Sequence, residues 1–312
     1  MDIMKQFNVL MAMNADYLPN EYDGDIYHYT SPSGFQSILF GNRSDVVLWA
    51  SRFDCLNDVS EGTVAEEILK EVAYDLLLQK EITAEMYRQL SCIKTAHTIP
   101  LHREVEGELK FTRPECDRYV CSFSKNEDSL AMWNYYSKGS RYEGYNIGFY
   151  SKAMKMTLER SLIGIEAVSH IYPVIYDKGE QKEYITKTLK RVIPLYSDEN
   201  LPRIRAIIST RLLDWGLIFK KSCFKHEEEV RIIIDLAKKE RLIPVNYRIN
   251  AGYVIPYIEL KFEQEDVTGV TLGPLLGGES HSSKQQQIML EMLKKNGYPI
   301  AKVGCSSIPV RF

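Results

Sequence analysis

The chain has 312 residues, 45% of them hydrophobic and 26% charged, with a formal net charge of −3. That balance excludes binding to nucleic acid driven by overall charge, and the modest counts of 12 proline and 18 glycine exclude a low-complexity chain. Six scattered cysteines without a Cys-x-x-Cys pair, and six histidines without ligand spacing, predict no metal site.

The opening Met1-Asp-Ile-Met-Lys-Gln-Phe-Asn lacks the basic-then-apolar order of a signal peptide. No stretch reaches the roughly 18 apolar residues of a membrane-spanning helix. The expectation is a reduced cytoplasmic protein with no membrane partner.

In chain order, Asp25 to Thr30 reads as a short strand. Ser31-Pro-Ser then opens a helix to Phe40, since serine caps and proline suits the first turn. Val46 to Ala50 is a second strand, and Leu56-Asn-Asp58 is turn chemistry. Val64, Ile68, Val72 and Leu76 repeat at helical spacing, with another helix over 84–90. Residues 91–116 are irregular and charged, the mark of an insertion.

Tyr119 to Ser124 reads as a strand, followed by a helix through Trp133 and Tyr136, which share one face and are expected in the core. Tyr145, Ile147 and Phe149 alternate as in a strand, and 171–176 resembles an edge strand because of Pro173. Helical patterns cover 182–193 and 200–219. After the segment Phe224-Lys-His-Glu-Glu-Glu-Val-Arg-Ile-Ile-Ile-Asp235 come strands near 257–261 and 267–272, a helix over 282–295 ending at Gly297, and a short strand at 301–303. The whole predicts an α+β fold, a single domain over 1–312 with a mixed, mainly antiparallel sheet and helical insertions, the principal one mainly helical at 60–116.

The segment around Glu229 is the most informative. A β-branched run after charged residues favours a strand, on which Glu227, Glu229 and Arg231 would share one face at its start. Carboxylates and an arginine are costly to bury, so such a group often holds a ligand or stabilises positive charge. The plainer reading is a solvated strand end or an ion pair. A one-residue shift would put Glu228 on that face instead.

Three strand ends carry polar residues: Tyr27-His28-Tyr29-Thr30-Ser31, Cys121-Ser122-Phe123-Ser124 and Glu227-Glu228-Glu229. That order resembles the ADP-ribosyltransferase superfamily. The resemblance implies NAD as substrate, no metal, His28 orienting the nicotinamide-side ribose, and Ser122 and Ser124 shaping the pocket. Glu229, then Glu227, would stabilise the oxocarbenium ion, with Tyr29, Thr30, Arg231 and Asn57 as further contacts. It also implies either transfer of ADP-ribose to a macromolecular acceptor or hydrolysis of NAD. Each residue has a plainer role: His28 bonded to a carbonyl in the core, Thr30 in a helix cap, Asn57 with Asp58 and Glu61 in a capped turn.

The same segments, with Leu48-Trp49, Leu56-Asn-Asp58, Met132-Trp133, Glu-x-Glu-x-Arg231 and Leu272-Gly-Pro274, resemble the bacterial family called domain of unknown function 2971. That resemblance names no activity and suggests a setting in phage defence or toxin biology. Phe224 stands where such proteins often carry tryptophan. Two other readings stand beside the NAD-consuming enzyme: a non-catalytic nucleotide-binding or protein-interaction module of the same fold, and a metal-dependent nuclease using Asp58, Glu61, Glu227 and Glu229.

Overall fold

The computed structural model describes residues 17–41, 45–56, 62–95, 116–136, 142–276, 282–299 and 302–309. Its elements, in chain order, are β1 (Asp25–Thr30), α1 (Pro32–Phe40), β2 (Val46–Arg52), α2 (Val64–Leu78), α3 (Ala84–Ser91), β3 (Cys116–Ser124), α4 (Leu130–Tyr136) and β4 (Tyr145–Tyr150). There follow α5 (Ser151–Ser161), β5 (Ala167–Pro173), α6 (Lys178–Val192), α7 (Leu201–Gly216), β6 (Glu229–Ala237), β7 (Asn246–Asn250), β8 (Tyr253–Phe262), β9 (Val267–Leu272), α8 (Ser282–Lys295) and β10 (Lys302–Cys305). The chain divides into two compact units.

One unit spans 21–55, 117–173 and 226–312 and holds the sheet. Its strands follow the order β10-β9-β4-β1-β3-β2-β8-β7, with β6 bonded to β3 and β5 bonded to β6. Among the described residues, β9 and β10 pair in parallel while β1–β3, β1–β4, β2–β3, β2–β8, β4–β9, β5–β6 and β7–β8 pair antiparallel, so the mixed, mainly antiparallel α+β sheet is observed.

Alternation along each strand decides which side is buried. Ile26, Val46, Leu48, Ala50, Cys121, Phe123, Ile147, Phe149, Val230, Ile232, Ile234, Ile258 and Leu260 form one core on one face, joined by Phe35, Leu39, Met154, Leu158, Met289 and Leu293 from α1, α5 and α8. Ser31 caps α1 by accepting from Gly34 N–H at 3.2 Å. Gly297, at φ +89°, ends the last helix as its sequence predicts.

β3 is where the sheet forks. Tyr27 of β1 stands opposite its Ser124, while Ser51 and Arg52 of β2 stand opposite Val120 and Tyr119. Arg118 with Asp235, and Lys125 N–H with the Glu228 carbonyl, mark the two ends of its contact with β6. Those contacts set Glu229 and Arg231 abreast of Ser124 and Ser122.

The other unit spans 1–20, 56–116 and 174–225 and contains α2, α3, α6 and α7. The helical segment expected at 60–116 supplies α2 and α3, and 174–225 adds the other two. Val64, Ile68, Leu69, Val72 and Leu76 of α2 are buried, as are Ile204, Ile207, Ile208, Leu212 and Trp215 of α7. The Trp215 indole N–H donates to the Tyr17 carbonyl at 2.7 Å. α6 starts earlier than its apolar pattern predicts, because the Asp177 carboxylate accepts from Glu180 N–H at 2.9 Å and caps it.

Two expectations need correction. The strand expected over 171–176 runs instead over 167–173, after which Ile175 bridges to Phe219 within the helical unit. Tyr136 is 43% exposed rather than core, while Trp133 is buried as expected.

Candidate functional site

β6 begins at Glu229, not at Glu227. Ser222–Glu227 forms a 3-10 turn, and Glu228 takes a left-handed φ of +46°. The expected shared face of Glu227, Glu229 and Arg231 is therefore corrected, since the turn breaks the strand alternation before Glu229. Glu227 contributes its carbonyl, which accepts from Ser124 Oγ at 2.7 Å. Glu228 is exposed, and its Oε1 accepts from Asn126 Nδ2 at 3.1 Å.

From Glu229 onward the alternation is regular. Val230, Ile232, Ile234 and Leu236 enter the core, and Glu229, Arg231 and Asp235 take the opposite face. Arg231 Nε donates to Glu229 Oε1 at 2.8 Å and Nη2 to Oε2 at 3.0 Å. Both are buried, at 2% and 5% exposure. A paired geometry of this kind offsets the cost of taking two charges out of water. Further along the same face, Arg118 Nε meets Asp235 Oδ1 at 3.0 Å.

Ser122 and Ser124 share this polar face, as the alternation around Phe123 predicts. They differ in what their hydroxyls do. Ser124 is fully buried: its Oγ donates to Glu227 O and accepts from Asn126 N–H at 3.1 Å, tying the end of β3 to the start of β6. Ser122 is half-buried beside Arg231.

His28 lies on the other face, with Phe123 and Ile147, its ring centroid 5.5 Å from that of Phe123. Its Nδ1 is 3.3 Å from the Ser122 carbonyl. That carbonyl lies at the fork, just past the Tyr27–Ser124 pairing of β1 with β3, and the imidazole takes the place of a strand partner. Burial pushes the His28 pKa down to about 4, so the ring is neutral at pH 7 and donates through Nδ1. Nε2 then carries the lone pair.

Tyr29 is fully employed in structure. Its hydroxyl donates to Asn126 O at 2.7 Å and accepts from Ser129 N–H at 3.0 Å, and its ring meets Trp133 edge-on at 4.7 Å. Thr30 packs its hydroxyl against Gly34 of α1, where a larger residue would collide with it. Asn57, with Asp58 and Glu61, lies outside the described residues.

One neighbouring pair is not foreseen from sequence. Tyr135 Oη and His226 Nε2 lie 2.9 Å apart, both exposed, one residue before Glu227. His226 stands in the glutamate-rich segment and Tyr135 in a tyrosine pair after Trp133, but nothing in their spacing joins the two. Among the described residues, no group of three or more His, Cys, Asp or Glu is placed to hold a metal ion, and no helix is long and apolar enough to cross a membrane.

The structure thus gathers Ser122, Ser124, Glu229 and Arg231 on one face and sets His28 behind the same strand. Comparison with known proteins bears on part of this site.

Residues 132–232 match the family model described as "Protein of unknown function (DUF2971)". The DUF2971 match takes in Trp133, Glu227, Glu229 and Arg231 and stops short of His28, Ser122 and Ser124. No curated protein and no solved structure matches the chain. The likeness to ADP-ribosyltransferases therefore rests on the three strand-end motifs.

Proposed function

We propose that the sheet unit is an NAD-consuming enzyme of ADP-ribosyltransferase type, with Glu229 as the catalytic carboxylate. The observation that carries this reading is a buried glutamate held rigid at the start of β6, abreast of two strand serines. Cleaving the nicotinamide–ribose bond develops positive charge on the sugar. A carboxylate already fixed in a dry site stabilises that charge without reorganising at the moment of reaction. Arg231 supplies the fixing. Ser122 lines the pocket and Ser124 holds the two strand ends together, while the neutral His28, on the other face, holds β3 from behind through the Ser122 carbonyl.

The ribosyl cation is then captured by water, giving hydrolysis, or by a nucleophilic side chain of a macromolecule, giving transfer. A setting in phage defence or toxin biology, which the family resemblance suggests, fits either activity. Purified protein incubated with NAD and followed by chromatography tests the reading: release of nicotinamide supports it, and no release together with no NAD binding by calorimetry overturns it.

A second reading is favoured by one observation. Because Arg231 engages both oxygens of Glu229, the pair also suits a structural ion cluster in a non-catalytic nucleotide-binding or interaction module. NAD binding without turnover would select it.

A further inference from the structure

β7 is the last strand of the sheet, and among the described residues it pairs with β8 alone. Its hairpin turns through Ala251 and Gly252, at φ +49° and +85°, which sets Asn250 opposite Tyr253. The pair flanking a two-residue turn is hydrogen-bonded and the pairs then alternate, so Asn250, Arg248 and Asn246 bond inward to β8. Pro256, opposite Tyr247, has no N–H to give, which agrees with a non-bonded pair at that position. The backbone N–H and C=O groups of Tyr247 and Ile249 therefore point to the open edge.

The side chains of these two residues are open as well. Tyr247 is 68% and Ile249 79% exposed, beside Val254 at 62%. They stand opposite Pro256 and Val254, on the face whose Ile258, Leu260 and Phe262 belong to the core. The apolar side of the sheet thus runs out beyond its cover. Edge strands are ordinarily blunted by lysine, proline or a bulge, and Asn246-Tyr-Arg-Ile-Asn250 has none of them. Its single charge, Arg248, is drawn inward, donating to Ser51 Oγ at 2.8 Å with its guanidinium 5.8 Å from the Trp49 ring centre.

We propose that β7 pairs antiparallel with β7 of a second copy, about a twofold axis at Arg248. The segment is self-complementary in that register. Tyr247 meets the partner's Ile249 in a reciprocally hydrogen-bonded pair, an aromatic against a β-branched residue. Asn246 meets the partner's Asn250, amide to amide. Arg248 faces the partner's Arg248, and the contacts to Ser51 and Trp49 hold each guanidinium back from the seam. An axis perpendicular to the sheet keeps both apolar faces on one side, as an isologous interface requires.

Sedimentation equilibrium of the full chain tests this, beside Ile249→Pro and Tyr247→Lys. Proline at 249 removes an outward N–H that the hairpin itself does not use. The expected result is a dimer for the unaltered chain, shifting to the mass of one chain in both variants with unchanged circular dichroism. If Ile249→Pro disturbs the fold, Tyr247→Lys decides. A monomer for the unaltered chain, or a dimer that survives both substitutions, overturns the proposal.

Discussion

Arg231 clasps the carboxylate of Glu229, two residues before it on the same strand face, through Nε at 2.8 Å and Nη2 at 3.0 Å. With both groups buried, losing either partner strands the other away from water. Arg231→Met is expected to cost roughly 3–5 kcal/mol in urea unfolding. The double substitution Glu229→Gln with Arg231→Met should recover part of that loss, since no uncompensated charge remains. Additive losses would mean that the two side chains do not act as a pair.

The sheet fork predicts a pH dependence. His28 has a pKa of about 4 when folded, against an ordinary value of 6.5, because burial disfavours its charged form. Between these values the unfolded chain binds a proton that the folded chain does not, so stability falls as pH drops from about 6.5 to 4 and is fully present above. His28→Asn should flatten the slope of the urea midpoint between pH 7 and pH 5. An unchanged slope would show that other groups carry it.

The two serines should part company. Ser124→Ala removes a buried donor and acceptor joining β3 to β6 and is expected to cost about 1–3 kcal/mol. Ser122→Ala should leave the unfolding midpoint within about 0.5 kcal/mol and act on NAD turnover instead. Equal losses of stability would remove the case for Ser122 as a pocket residue.

Much of this layout was legible in the amino-acid pattern. The helix over 282–295, the strand over 267–272 and the opposed faces of Phe123 and its flanking serines all appear where alternation and capping put them. The start of β6 did not. A run of three glutamates has no periodicity to betray a turn, and only the backbone shows Glu228 in the left-handed region. β7 gives a weak sequence signal because Asn246 to Asn250 has the alternation of a strand with its apolar side turned to solvent. Helix α5 gives a weak one too, as only Ser151, Met154, Thr157 and Leu158 of its 11 residues are buried. His28 was visible as a candidate, but its position across the sheet from Glu229 depends on the pairing of Tyr27 with Ser124, which no local signal encodes.

Glu228 offers a test of the turn. At φ +46° a residue with a Cβ carries strain that glycine avoids, and the Asn126 contact it would lose is exposed. Glu228→Gly is expected to raise stability by roughly 1 kcal/mol and leave nicotinamide release unaltered. A loss of release would move the catalytic assignment from Glu229 to Glu228.

The decisive measurement is the rate of nicotinamide release by Glu229→Gln beside the unaltered chain, with circular dichroism showing both folded at the assay temperature. The charge of Glu229 is expected to matter by about 10²- to 10³-fold, the size of losing one preorganised electrostatic contact. A folded Glu229→Gln protein that releases nicotinamide at the unaltered rate would contradict the assignment of Glu229 as the catalytic carboxylate.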